Sequence, residues 1–505
     1  MKRAALLAAL LLVSACSRAD PAAQFAAARQ AYASEDYAAA RAHVLGALDA
    51  DGSNPDMLVL FARTQLKLGD GDGAQATLAR LDEAGATSPE LIRLKAEAAI
   101  LRGQPQVALD LLGRDGTAEA WRLQAAAYNA LDDGPAALEA LRRGLAVDGR
   151  HYALLFDYAR FLIAAQDFPA AARTIGTMRE IGPDRLDTLM IAGTLAAKQG
   201  QLDAAERSYT AAAGKFPSRV EPLTALASLA DMRGKIDVAL ALVARAAKIA
   251  PDHSEVTDLA VLLASEKGDW ETVRKTLVSQ ELTLDPRSAN GMSYAEALLR
   301  LGQPEHARAI FAKALLLSPQ NPFARLMLAE SQLAVGDAAS ALRTMRPLSD
   351  SVLAGERELD LAVRAAKAAN DPVAVALLAR LQSPALKANQ QLVSAAQAAL
   401  FRQDWQAALT AFGQIPGHEN DPEVLRRMAL AASRTGQTDV ALGYADRAID
   451  LAPRNADMLH TAALVRLEAG RDRDQVLRLM KAASQLDPAN RLFRADLARA
   501  VAASG

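Results

Sequence analysis

The chain has 505 residues, with 57 Lys and Arg against 59 Asp and Glu and a formal net charge of -2. That balance argues against a nucleic-acid binder, which shows a strong basic excess, and a single Cys excludes a disulfide framework or a Cys-based zinc site. Hydrophobic residues make up 51% and aromatics only 4%, so Ala and Leu dominate; both are strong helix formers, and the expectation is an all-α protein too apolar to be disordered.

The first residues read as an address. Lys2 and Arg3 form a basic start, and Ala4 to Ala15 form an apolar run of 12 residues. That run is too short to span a bilayer and fits the apolar region of a secretory signal. Val13-Ser14-Ala15-Cys16 resembles the lipobox of bacterial lipoproteins. The resemblance implies removal of residues 1–15, acylation of Cys16 and a short tether over 16–20. Acyl chains add about 0.8 kcal/mol per buried CH₂, and two or more hold a protein durably where one does not. Ser17, where inner-membrane retention favours Asp, implies the periplasmic face of the outer membrane. No later segment has 18 unbroken apolar residues, so no further crossing is expected.

The remainder repeats with a period of 34. Units start at 21, 55, 89, 118, 152, 186, 220, 254, 288, 322, 356, 389, 422 and 456. The eighth residue of the unit is Ala in 11 of 14 cases, from Ala28 to Ala463, and so is the twentieth, from Ala40 to Ala441. Small residues at fixed positions are needed where two helices approach too closely for a larger side chain. Position 15 is often Gly, as at Gly69, Gly103, Gly200 and Gly234, which supplies a positive φ between two helices. Pro217, Pro251, Pro319 and Pro453 fall where the second helix should stop.

These spacings resemble the tetratricopeptide repeat, with Trp121 and Tyr128 at positions that family fills with aromatics. The resemblance covers 21–489 and implies an α-solenoid, a right-handed superhelix of about 14 helix-turn-helix repeats. One such unit cannot bury its own apolar face, whereas a stack can. Residues 490–505 read as a helix closing the last repeat.

Signs of catalysis are few. The six His residues are scattered, with no His-x-x-x-His pair, and no metal or cofactor is expected. Gly69-Asp70-Gly71-Asp72-Gly73 fails as a dinucleotide or calcium loop because Ala74 stands at a required position, and reads as a turn within one repeat. Gly291-Met292-Ser293-Tyr294-Ala295 lacks the second Gly of a nucleophile elbow and lies inside a first helix. Trp121, Trp270 and Trp405 read as packing between repeats.

Function therefore falls to the concave groove. The repeat family implies that positions 5 and 9, among others, face it. They place Arg29, Arg63, Arg93, Arg122, Phe156 and Arg160 in the first five units, a basic stripe suited to carboxylates. Asp258, Glu296 and Glu330 make the middle units acidic. Acids at position 2, such as Glu90 and Glu119, favour the helix dipole and partly cancel the stripe. Position 6 holds no Asn, which argues against the carboxylate clamp of chaperone-binding repeats. The expectation is a non-enzymatic scaffold, lipid-anchored and facing the periplasm, that binds envelope proteins or peptides. It would help assemble a polysaccharide-export, secretion or pilus machine. The alternative is a module binding an acidic glycan; an enzyme with active residues in the short repeat loops is the third reading.

Overall fold

A computed structural model describes residues 20–488 and 490–502; Cys16 and the segment expected to be a leader lie outside the described residues. The described residues form 29 α-helices, two short 3₁₀ turns and no strand. They divide into two compact units, one ending at Arg233 and the other starting at Gly234.

In the first unit the helices are α1 (Pro21–Ala33), α2 (Tyr37–Leu48), α3 (Pro55–Lys67), α4 (Gly71–Glu83), α5 (Pro89–Leu101), α6 (Pro105–Leu112) and α7 (Ala118–Ala130). There follow α8 (Gly134–Val147), α9 (Tyr152–Ala164), α10 (Phe168–Ile181), α11 (Leu186–Lys198), α12 (Leu202–Lys215) and α13 (Glu221–Met232). Each odd helix packs on the next even one as a hairpin, and α13 packs on α12.

The second unit begins with α14 (Ile236–Ile249), α15 (Ser254–Lys267), α16 (Trp270–Leu277), α17 (Ala289–Arg300), α18 (Pro304–Leu317), α19 (Pro322–Ala334), α20 (Ala338–Ser349) and α21 (Glu356–Ala368). It continues with α22 (Val373–Leu381), α23 (Ala385–Phe401), α24 (Trp405–Gly413), α25 (Pro422–Arg434), α26 (Thr438–Leu451), α27 (Ala456–Glu468), α28 (Arg473–Leu486) and α29 (Arg491–Ala502). Here α14 packs on α15, seven hairpins run from α15 to α28, and α29 packs on α28. Each unit is thus an α-solenoid of helical hairpins. The sequence reads as one uninterrupted array; the structure divides it inside the repeat expected to start at 220.

Local chemistry accounts for the hairpins. Asp and Asn side chains cap many helix starts: Asp70 accepts from the Gly73 amide at 2.8 Å and Asn321 from the Ala324 amide at 2.9 Å. Position 15 is left-handed in every unit, including five residues that are not Gly: Glu35, Asp132, Gln166, Asn370 and Gln403, with φ between 53° and 62°. Helices α12, α14, α18 and α26 each end two residues before Pro217, Pro251, Pro319 and Pro453, because the residue before Pro is pushed out of the helical region. The stretch Gly69–Gly73 spans the α3–α4 turn and the first residues of α4, and Gly291–Ala295 lies within α17.

The small positions are the seam of the core. Ala28, Ala62, Ala96, Ala159, Ala227 and Ala295 at position 8 are fully buried, as are Ala40, Ala74, Ala171, Ala205 and Ala307 at position 20. The pattern slips twice. Val375 is 75% exposed, because α22 is a short helix that buries Leu377 instead. Gln475 is only half-buried and its neighbour Val476 is buried. At the end, Phe493 and Ala500 of α29 cover Leu459, Val476 and Met480. Buried His460 meets buried Asp496 at 2.7 Å, with Nε2 facing Oδ2.

Candidate functional site

Three of the five Arg in the expected basic stripe are neutralised by carboxylates of their own or an adjacent repeat. Arg63 pairs with Glu90, a position 2 acid of the next unit. Arg93 bonds Asp115 at 2.9 Å. Arg122, whose side chain is only 16% exposed, forks onto Glu119 at 2.8 and 2.9 Å, reaches Asp157 at 3.2 Å and has Glu97 at 3.9 Å. Burial works against the Arg122 cation, but these three carboxylates outweigh it and hold its proton more tightly than usual. The position 2 acids therefore do more than favour helix dipoles: Glu90 bridges two repeats and Glu119 holds Arg122 within its own. Arg29 is exposed, and Arg160 is exposed with its guanidinium 5.8 Å from the Phe156 ring. The middle units are likewise balanced: Arg300 bonds Glu330 at 2.6 Å and Glu296 at 3.1 Å.

Two of the expected residues, Arg122 and Phe156, line a cleft of about 510 Å³ in the first unit. Its other walls come from Tyr32 and Glu35 at the end of α1, Tyr37 at the start of α2, Lys67, and Tyr152, Asp157, Arg185 and Asp187 from α9 and the start of α11. The first hairpin thus faces the fifth and sixth across this cleft. Tyr32 and Tyr37 meet edge to face at 5.3 Å. Arg185 stacks 3.8 Å above Tyr152, whose hydroxyl lies 2.8 Å from Thr188 Oγ1. Burial, then the like charge of Glu35, raises the Asp187 carboxyl above its ordinary value, with Arg185, Arg219 and Lys67 opposing. Burial and Glu35 push the Tyr37 hydroxyl up to about 12. Arg29, Arg63, Arg93 and Arg160 do not line this cleft. Sequence reasoning missed Tyr32, Tyr37 and Tyr152; the signal available was a set of tyrosines in an aromatic-poor chain.

A second cleft, of about 770 Å³, lies in the second unit between the α18–α19 turn, the 350–354 loop and the starts of α25 and α27. The loop is fixed by Asp421, which accepts from Ser351 Oγ at 2.6 Å and the Val352 amide at 2.9 Å, and by Asn389, which donates to Val352 O at 2.7 Å. Arg325 and Arg426 reach this cleft, as does Glu423. Burial works against the Glu423 charge, but Arg426 at 2.7 Å and Arg427 at 2.8 Å outweigh it and hold its carboxyl below the ordinary range.

Among the described residues, no group of three or more His, Cys, Asp and Glu is placed to hold a metal ion, and no helix is long and apolar enough to cross a membrane. Both clefts present guanidinium forks and carboxylates, the first beside aromatic rings and the second beside aliphatic side chains, which is recognition chemistry.

Tetratricopeptide-repeat models match residues 31–98 and 290–331. No curated protein sequence matches. Among solved structures, the Cut9–Hcn1 hetero-tetramer of the APC/C aligns over 95% of this chain and 96% of its own, at 18% identity and a TM-score of 0.37. Naa15/Naa10 bound to HypK-THB aligns over 95% of this chain at 16% identity and a TM-score of 0.27, and this chain spans 65% of that one. The chain carries tetratricopeptide repeats in the matched segments, within an all-α solenoid fold.

Proposed function

We propose that the protein is a non-enzymatic interaction scaffold that seats a peptide or protein segment in the first unit's cleft. It is held by acylated Cys16 at the periplasmic face of the outer membrane. There it assembles or stabilises an envelope machine for polysaccharide export, secretion or pilus formation. The observation that carries the binding reading is the convergence of Tyr32, Tyr37, Tyr152 and Phe156 with paired charges on one concave cleft. Aromatic anchors within a charged rim are how proteins hold peptides. The lipid anchor rests on the sequence of residues 1–16, with its basic start, short apolar run and the chain's one Cys.

A glycan reading has less support. It relied on Arg63, Arg93, Arg122 and Arg160, and the first three are engaged by carboxylates, so an acidic polymer would have to displace internal partners. The test is co-purification from solubilised membranes with wild type and with Phe156→Asp. A partner lost with Phe156→Asp supports the scaffold; no partner above background overturns it. Cys16→Ser should release the protein from the membrane fraction.

A further inference from the structure

In the repeat, position 4 faces inward in many units, though Ile92 there is exposed. The position is Leu, Ile or Trp in ten of the fourteen units, and Leu58, Leu155, Leu223, Leu359, Leu425 and Leu459 there are buried. One unit carries a charge at this position, Arg325 on α19. Its guanidinium is half-buried, lines the second unit's cleft and donates to the Pro319 carbonyl at 2.6 Å. Burial alone shifts it, lowering its pKa, with no carboxylate raising it in return. Every other Arg on the cleft wall is engaged: Arg426 and Arg427 both hold Glu423. Five acids share the wall with Arg325: Asp350 and Asp457, and Glu423, Asp421 and Glu358, which are engaged. Asp421 accepts from four donors and Glu358 caps the Gly355 amide at 3.0 Å. A desolvated cation at a core position with donors to spare weakens the fold unless an anion completes it.

We propose that Arg325 is a receptor for a peptide carboxylate, either a C-terminus or an Asp or Glu side chain, bound in the second unit's cleft. The planar fork of Arg suits a carboxylate. The surrounding chemistry suits a peptide more than a bare anion: Leu348, Leu353 and Met458 offer apolar contact, and the amides of Gln320 and Gln397 stand on the same walls for backbone groups. The loop bearing Leu353 is fixed in advance by Asp421 and Asn389, which reduces the ordering cost of binding. This site is separate from the cleft of the proposed function and stands or falls on its own.

The test uses full-length protein and three pools of fluorescein-labelled hexapeptides drawn from uncharged residues, read by anisotropy. One pool has a free C-terminal carboxylate, one is amidated, and one is amidated with a single Glu. Wild type should retain a carboxylate-bearing pool; retention of the first assigns a C-terminus and retention of the third a side chain. Arg325→Leu, which restores the residue usual at this position, should weaken retention at least about tenfold while leaving the thermal midpoint equal or higher. Arg325→Lys should weaken it less. Arg308→Leu, on α18 and outside both clefts, should leave it unchanged. Equal retention of the neutral amidated pool, no retention of any pool, or undiminished retention by Arg325→Leu would overturn the proposal. So would retention of a polyuronate in place of every peptide pool.

Discussion

Replacing Gly193 with Ala asks whether the small-residue seam is real. Gly193 sits in mid-helix on α11, where Gly ordinarily costs about 0.5–1 kcal/mol relative to Ala. On propensity alone the substitution should stabilise. A Cβ there, however, would stand 2.4 Å from Tyr209 Cε1 and 2.6 Å from Cδ1, against about 3.5–4.0 Å for a normal carbon contact. The Tyr209 ring is buried, 6% exposed, and its hydroxyl lies 3.3 Å from Thr194 Oγ1. It must therefore retreat by roughly 1 Å through packed neighbours, which costs about 1–3 kcal/mol. The net expectation is a destabilisation of about 0.5–2 kcal/mol. Gly176 on α10 is the control: nothing lies within 4 Å of its added Cβ, so Gly176→Ala should stabilise by about 0.5–1 kcal/mol. The assay is urea unfolding followed by circular dichroism, reading the midpoint at constant slope because repeat arrays depart from two-state behaviour. Adding Tyr209→Leu to Gly193→Ala should remove most of the clash. Stabilisation by Gly193→Ala matching that of Gly176→Ala would refute close approach of α11 and α12.

Other substitutions probe separate features. Gln166 holds φ 59°, a region that costs a non-Gly residue about 1–2 kcal/mol; allowing for the greater chain entropy of Gly, Gln166→Gly should raise the unfolding midpoint by the equivalent of about 0.5–1 kcal/mol. Arg122→Met leaves Glu119 and Asp157 without their shared cation and should cost about 2–3 kcal/mol in the same assay, less than a fully buried pair because some solvent reaches it. For Asp187, the raised folded-state value means the native state holds the proton more tightly than the unfolded chain. Its contribution is then present below the unfolded value and lost as pH rises through the folded one. Asp187→Asn should accordingly raise the thermal midpoint at neutral pH, with the gain shrinking as pH falls towards 4, about the unperturbed Asp value; a gain constant across that range would contradict this.

Much of the architecture was legible because a stacked hairpin imposes itself on sequence at fixed spacing. Ala62 and Ala74, or Ala295 and Ala307, mark the places where two helices touch, and both pairs are fully buried. The left-handed turn was legible where Gly stood and hidden where Glu35, Asp132, Gln166, Asn370 or Gln403 adopts the same conformation, since the turn is enforced by the flanking helices. The division at Arg233 left no mark on the 34-residue spacing. The groove was harder to read. Positions name which residues face inward but not what they meet: Asp115 lies 22 residues from Arg93, and Asp157, one partner of Arg122, lies 35 residues from it. A stripe that looked basic is therefore a ladder of ion pairs. Tyr32 and Asp187 come together only because the first and sixth repeats face each other across the cleft. Arg325 stands out only once the repeats are aligned on the structure, and its isolation from carboxylates is a property of the fold.

The central claim is that a partner segment sits in the cleft between the first and sixth repeats. Site-specific photo-crosslinking in the native membrane tests it most directly, with a benzoylphenylalanine at Phe156, which lines the cleft, and another at Val147, which is 57% exposed and lies outside it. The account predicts a discrete crosslinked protein from position 156, absent from position 147 and lost when Asp187→Lys is added. Identical products from both positions, or none from position 156, would contradict it.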